Sequence, residues 1–125
     1  MKLDDLARSV AAYEAVDISE FQRSARILQS LWREEQGFEI GEHNGRLLGS
    51  RLRMPWAQDE LANFITPAIR EVVRDEVLDN AQSAGKVYGK PRIFNDLLSS
   101  QPLCFNLFGE LSRDLDLASR VICEL

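Results

Sequence analysis

The sequence is short of the residues from which most active sites are assembled. It has one histidine, His43, two cysteines, Cys104 and Cys123, and three lysines, Lys2, Lys86 and Lys90. A single histidine excludes a three-histidine zinc site, and the cysteines lack metal-ligand spacing. Both lie on apolar segments and read as buried free thiols in a reducing compartment, so the protein is expected to be cytoplasmic. No serine sits in a Gly-x-Ser-x-Gly elbow, and no glycine-rich loop ends in Lys-Ser or Lys-Thr. No apolar run approaches the roughly 20 residues that cross a membrane. The opening MKLDDLARSV has no secretory signal core.

What is present suits one domain with one core over residues 1–125: 45% of the chain is apolar and 28% charged. The net charge of −5 argues against a protein coated for nonspecific nucleic-acid binding. The charge is unevenly spread. Residues 1–36 carry 5 basic and 7 acidic groups and residues 57–85 carry 2 and 6, whereas residues 37–56 carry 3 and 2 and residues 86–98 carry 3 and 1. Positive charge thus collects in the connectors. Arg46, Arg51 and Arg53 in the first connector, with Lys86, Lys90 and Arg92 in the second, are the candidate DNA-binding residues. A guanidinium fork suits phosphate better than an ammonium does. The plainer reading is that all six are solvated loop residues.

The apolar period is helical throughout and predicts a mostly α, single helical domain of about five helices with one long Gly-rich connector. Leu3, Leu6, Val10 and Tyr13 mark a first amphipathic helix. Asp17, three residues before Glu20, resembles a capping box for a second helix, with Phe21, Ala25, Leu28, Leu31 and Trp32 on its inner face and Gly37 at its end. The connector that follows holds Gly41, Gly45, Gly49 and Pro55, and a short extended piece at Arg46–Arg53 is compatible with it. Thr66 and Pro67 start another helix, with Ile69, Val72, Val73 and Val77 inward. Glu71, Asp75 and Asp79 alternate with Arg70 and Arg74 and read as a solvated face rather than a metal site. Gly85 reads as a stop, and Phe94, Leu97 and Leu98 as the next helix, which Pro102 breaks or restarts. Leu103, Phe105, Leu107, Phe108 and Leu111 read as a short buried helix, and Ser112 as the cap of a last one.

The block LLSSQPLCFNLFGEL at Leu97–Leu111 resembles a signature of a group of bacterial proteins in the PD-(D/E)XK nuclease superfamily. LQSLWREEQGFEIG at Leu28–Gly41, LLGSRL at Leu47–Leu52 and NFITPAIREVVRDE at Asn63–Glu76 come in the order found in the N-terminal region of those proteins. The resemblance covers roughly residues 22–125. It implies a restriction-endonuclease-like nuclease in which two acidic residues and a lysine, the last pair written (D/E)-x-K, hold Mg²⁺ and activate water. This chain departs from that pattern. Two positions before Lys86 stands Ala84, two before Lys90 stands Tyr88, and Lys2 has no such position. No catalytic residue and no metal ligand is therefore assigned, and Mg²⁺ is expected only of a full-length relative.

The resemblance implies a non-catalytic N-terminal portion of a longer protein, scaffolding and contacting DNA. The alternative is a helical protein-interaction module with no nucleic-acid role. Convergence of the six basic residues on one face would favour the first and scatter the second. Ser99, Ser100, Gln101 and Asn106 read as a structural joint where Pro102 interrupts the helix, or else as braces for a missing catalytic sheet or contacts to a nucleic-acid backbone. An apolar edge of Phe105, Leu107, Phe108, Val121 and Leu125 is expected to be uncovered. It predicts a homo-oligomer through the C-terminal helices, and no membrane partner.

Overall fold

A first helix, α1 (Leu3–Ser9), places Ala7 and Val10 against Ala12 and against Ile27 of the long helix α2 (Glu20–Glu35). The computed structural model describes residues 2–79 and 85–125. The start of α2 falls at Ser19, not at Asp17. The Ser19 hydroxyl accepts from the Gln22 N–H while the Gln22 side chain accepts from the Ser19 N–H, a reciprocal capping box. Asp17 is released for another task, an ion pair with Arg26.

The inner face of α2 also differs from the apolar stripe. Ile27, Ser30 and Arg33 are buried, while Phe21 and Leu28 are exposed, Phe21 to 80% of its surface. The reason is what α2 packs on. Gly37, with φ +70°, ends the helix. The connector then folds as a hairpin of β1 (Ile40–His43) and β2 (Arg46–Leu52), joined by Asn44 and Gly45, both with φ above +50°. Asn-Gly is the sequence of choice for such a turn, because both central residues must take positive φ. The extended piece is thus a strand, and its partner is the glycine-bearing segment before it.

Strand β2 is covered along most of its length. Leu48 to Leu52 are all buried. One edge pairs with β1. On the other, the Gly49 N–H donates to the Ala11 carbonyl, and the Ser50 carbonyl accepts from the Leu97 N–H. Since β2 presents serine, glycine and arginine as well as leucine, the helix lying on it must answer with polar groups: Arg26 donates to Ser50 and Arg33 to the Gly49 carbonyl, while the small Ser30, bonded back to the Arg26 carbonyl, lies over Gly49.

After β2 comes a short helix α3 (Trp56–Asp59), then α4 (Pro67–Val73), capped by the Thr66 hydroxyl accepting from the Ile69 N–H, with Pro67 in the first turn. It runs on as a π-helical segment over Arg74–Asp79. Ile69, Val73 and Val77 join Leu61, Phe64, Ile93 and Phe94 in the main core cluster. Gly85 has φ +82°, and the helix end assigned to it adjoins residues 80–84, which lie outside the described residues. Helix α5 (Arg92–Asn95) is a single turn that ends before Leu97 and Leu98.

Helix α6 (Ser100–Arg113) carries Pro102 in its first turn, where a proline is tolerated, so the helix is not interrupted. Gly109 faces Ile69, and a Cβ there would meet Ile69 Cγ1 at 3.1 Å, so α4 and α6 are in close contact. Helix α7 (Leu115–Glu124) is capped by Asp114, whose carboxylate accepts from the Leu117 N–H, while Ser112 donates back to the Gly109 carbonyl. No α7 residue is buried. Both cysteines are exposed on the outward faces of α6 and α7, correcting the buried assignment. Of the expected uncovered edge, Leu107, Phe108, Val121 and Leu125 are exposed, but Phe105 is half-buried against Phe64 and Tyr88. The fold is mostly α, as the period implies, with one two-stranded sheet among the described residues.

Gly49 tests the closeness of β2 to its cover. A Cβ there would lie 2.2 Å from the Val10 carbonyl oxygen and 2.5 Å from Ser30 Oγ. Gly49→Ala should lose about 1–3 kcal/mol or more of stability in urea denaturation. At Gly89 an added Cβ meets only Gln101 Oε1 at 3.4 Å, so Gly89→Ala should stay within about 0.5 kcal/mol of the parent.

Candidate functional site

Helix α2, strand β2 and the α5 turn meet at a cleft of about 470 Å³, lined by Arg26, Arg51 and Arg92 and by Glu14, Asp17 and Asp96. Its inner wall is built on ion pairs. Arg26 Nε and Nη2 donate to the two Asp17 oxygens at 2.5 and 3.1 Å, and Nη1 donates to Ser50 Oγ at 2.7 Å. Arg51 Nη2 lies 3.2 Å from Asp96 Oδ2, and its Nη1 donates to Asn95 Oδ1 at 3.3 Å. Arg33, further along α2, donates to the carbonyls of Gly49 and Phe38. Burial pushes the Arg51 guanidinium below its ordinary value, against the opposing pull of Asp96. Arg26 is desolvated too, yet its hydrogen bonds and charge pairing with Asp17 carry it above the ordinary value. The buried Arg51 Nε has no hydrogen-bond partner.

The six basic residues picked out from the connectors are brought together only in part. Arg51 and Arg92 share the Asp96 carboxylate, Arg51 from inside and Arg92 through its Nε from the solvent side. Arg46 donates to Glu14 at the same cleft. Arg53, at the far end of β2, is roughly 23 Å along an extended strand from Arg46 and pairs with Glu39. Lys86 binds Glu76 of the π-helical segment at 2.5 Å, and Lys90 is exposed ahead of α5. Arg26 belongs to the cleft but lies on a helix, outside the connectors that the charge count singled out. Its signal in the sequence was Asp17, nine residues earlier.

Two side-chain amides of α6 hold neighbouring backbone by both of their ends. Asn106 Oδ1 accepts from the Ile65 N–H at 3.0 Å, and its Nδ2 donates to the Asn63 carbonyl at 2.9 Å. Gln101 Oε1 accepts from the Gly89 N–H at 2.8 Å, and its Nε2 donates to the Val87 carbonyl at 3.1 Å. Each amide thus pairs like a peptide unit of an adjacent strand. Ser99 is buried at the N-cap of α6 without a side-chain cap bond, and Ser100 is exposed in the first turn.

The Mg²⁺ implied by the resemblance meets no fitting residues here. Among the described residues no three His, Cys, Asp or Glu side chains gather to hold a metal ion. The cleft carboxylates Asp17 and Asp96 are bound to guanidinium groups instead. Among the described residues no helix is long and apolar enough to cross a membrane.

Asp96 is the residue on which this wall turns. Asp96→Ala strands a buried Arg51 cation and should lose about 3–5 kcal/mol. Arg92→Ala, at a side chain 61% exposed, should change stability by no more than about 1 kcal/mol. Chemical denaturation of the two variants side by side checks the contrast.

Comparison with known proteins adds the last observation. No curated protein and no solved structure matches the chain. A family profile described as the PD-(D/E)XK nuclease superfamily matches residues 16–125, which takes in α2 through α7, the hairpin and the cleft except Glu14. The chain belongs to the PD-(D/E)XK nuclease superfamily.

Proposed function

We propose that this chain is a non-catalytic, helical part of a nuclease-like protein, acting as a scaffold and contacting DNA. The observation that carries the reading is a family match over residues 16–125 in a chain whose three lysines all lack an acidic residue two positions before them. Phosphate contact falls to Arg46, Arg53, Lys86, Lys90 and Arg92, with Arg51 as the buried anchor behind Arg92. Gln101 and Asn106, with Ser99 and Ser100 beside them, act as the structural joint that fixes α6 to the loops before α4 and α5. A cytoplasmic location goes with two exposed, unpaired thiols.

Hydrolysis is the direct test. The purified chain should leave DNA intact in Mg²⁺ or Mn²⁺ while binding it with a steep salt dependence. Cleavage that survives repurification and disappears on substitution of Asp17 or Asp96 would overturn the non-catalytic assignment.

One observation favours a further proposal, the homo-oligomer through the C-terminal helices. Leu103, Leu107 and Phe108 of α6 and Leu115, Ile122 and Leu125 at α7 are exposed. Burying one such side chain contributes roughly 1.5–3 kcal/mol, so a two-fold contact through these helices would be favourable. Sedimentation at micromolar concentration should show a dimer that Leu107→Glu converts to monomer. A parent chain that sediments as a clean monomer excludes this reading.

A further inference from the structure

The cleft has an inner and an outer layer, and in the inner one every terminal amino group of Arg26 and Arg51 has a partner. Arg26 and Arg51 spend their terminal amino groups on Asp17, Ser50, Asn95 and Asp96. Arg92 spends only its Nε, and Arg46 only one amino group. Arg92 at the cleft and Arg46 beside Glu14 are therefore left with N–H donors that meet no acceptor among the described residues. Three guanidiniums (Arg26, Arg51, Arg92) and three carboxylates (Glu14, Asp17, Asp96) line the cleft, and Arg46 adds a fourth guanidinium from outside the lining through its ion pair with Glu14. This place is thus net positive on a protein of charge −5.

Beside these forks is an aromatic ring with nothing over it. Phe21 lines the same cleft and is 80% exposed. A phenylalanine in the first turn of an amphipathic helix ordinarily faces a core; here the polar face of α2 has taken that place. Phosphate-binding forks next to an open ring match one repeating unit of nucleic acid, a phosphodiester and a base. The ring can be used only if the base is unstacked. In a duplex the bases are paired and stacked, whereas in a single strand each offers a face to an aromatic side chain.

We propose that the cleft between α2, β2 and α5 binds single-stranded nucleic acid, with Arg92 and Arg46 on the phosphates and Phe21 stacked on a base. This rests on the reading of the chain as a DNA-contacting part, and it makes that contact specific to an unpaired strand or a frayed end.

Fluorescence anisotropy on the full chain at low salt tests it, with a labelled single-stranded DNA oligonucleotide and the same sequence as a blunt duplex. The single strand should bind at least about fivefold more tightly. Phe21→Ala should weaken single-strand binding by about tenfold and leave duplex binding unchanged. Arg92→Ala should weaken binding and flatten the salt slope by about one phosphate contact, and Arg120→Ala, exposed on α7 and not in the cleft lining, should do neither to the single strand. Because Phe21 and Arg92 are exposed, unchanged circular dichroism and melting are expected of both variants. Duplex binding equal to single-strand binding, with Phe21→Ala silent, overturns this inference and leaves the broader reading standing. Absence of binding to either form overturns both.

Discussion

The fold depends on bringing strand β2 inside the protein. A two-stranded sheet is marginal in water on its own, and β2 is made stable by what covers it. Its sequence, RLLGSRL, is too polar for an oily cover. The buried Ser50 and Arg51 have to be hydrogen-bonded or paired, since an unpaired polar group in the interior is costly. Helix α2 answers with Arg26 and Arg33, and the α5 turn answers with Asn95 and Asp96. The layer that joins hairpin to helices is therefore made of guanidinium groups, carboxylates and carbonyls, and the apolar clusters lie to either side of it. Breaking one partner is severe for the reason that the whole set exists: each charge was desolvated on the condition that its mate be there.

That constraint explains where the sequence was legible. The α4 start was readable because a threonine cap and a following proline act locally and need no tertiary knowledge. Gly37 was readable for the same reason. The inner face of α2 was not, because the rule that apolar residues point inward fails when the neighbour is a polar strand. Phe21 and Leu28 keep the helical period but lie outside, while Arg33 lies inside. Arg51 was counted among exposed connector cations for the same reason. The hairpin is a different kind of omission. Asn44-Gly45 is a strong local turn signal, and it was overshadowed by Gly41, Gly49 and Pro55 around it. The pairing of Asp17 with Arg26 had a trace in the chain, but an acid and a base nine residues apart fit too many arrangements for the sequence to select one.

The candidate site was half legible. Charge clustering in the connectors pointed to Arg46, Arg51 and Arg92, which the fold gathers at one cleft, and equally to Arg53, Lys86 and Lys90, which it places elsewhere or pairs with other carboxylates. A tally of charge along the chain carries no information about which side of a strand a residue leaves from. The amide groups of Gln101 and Asn106 illustrate a further limit. Both act on backbone, and backbone partners leave no mark in the identity of the residues they belong to.

Helix α7 buries none of its residues and touches the remainder chiefly through α6. Native-state stability is therefore graded along the chain. Opening α7 removes almost no apolar burial from the core, so its amide protons should exchange with solvent on a scale set by local fraying, whereas those of β2 can exchange only when the helices above it lift away. The protein thus sets an interior unit, β2 and the helices that cover it, beside a helix whose opening is expected to leave that unit intact.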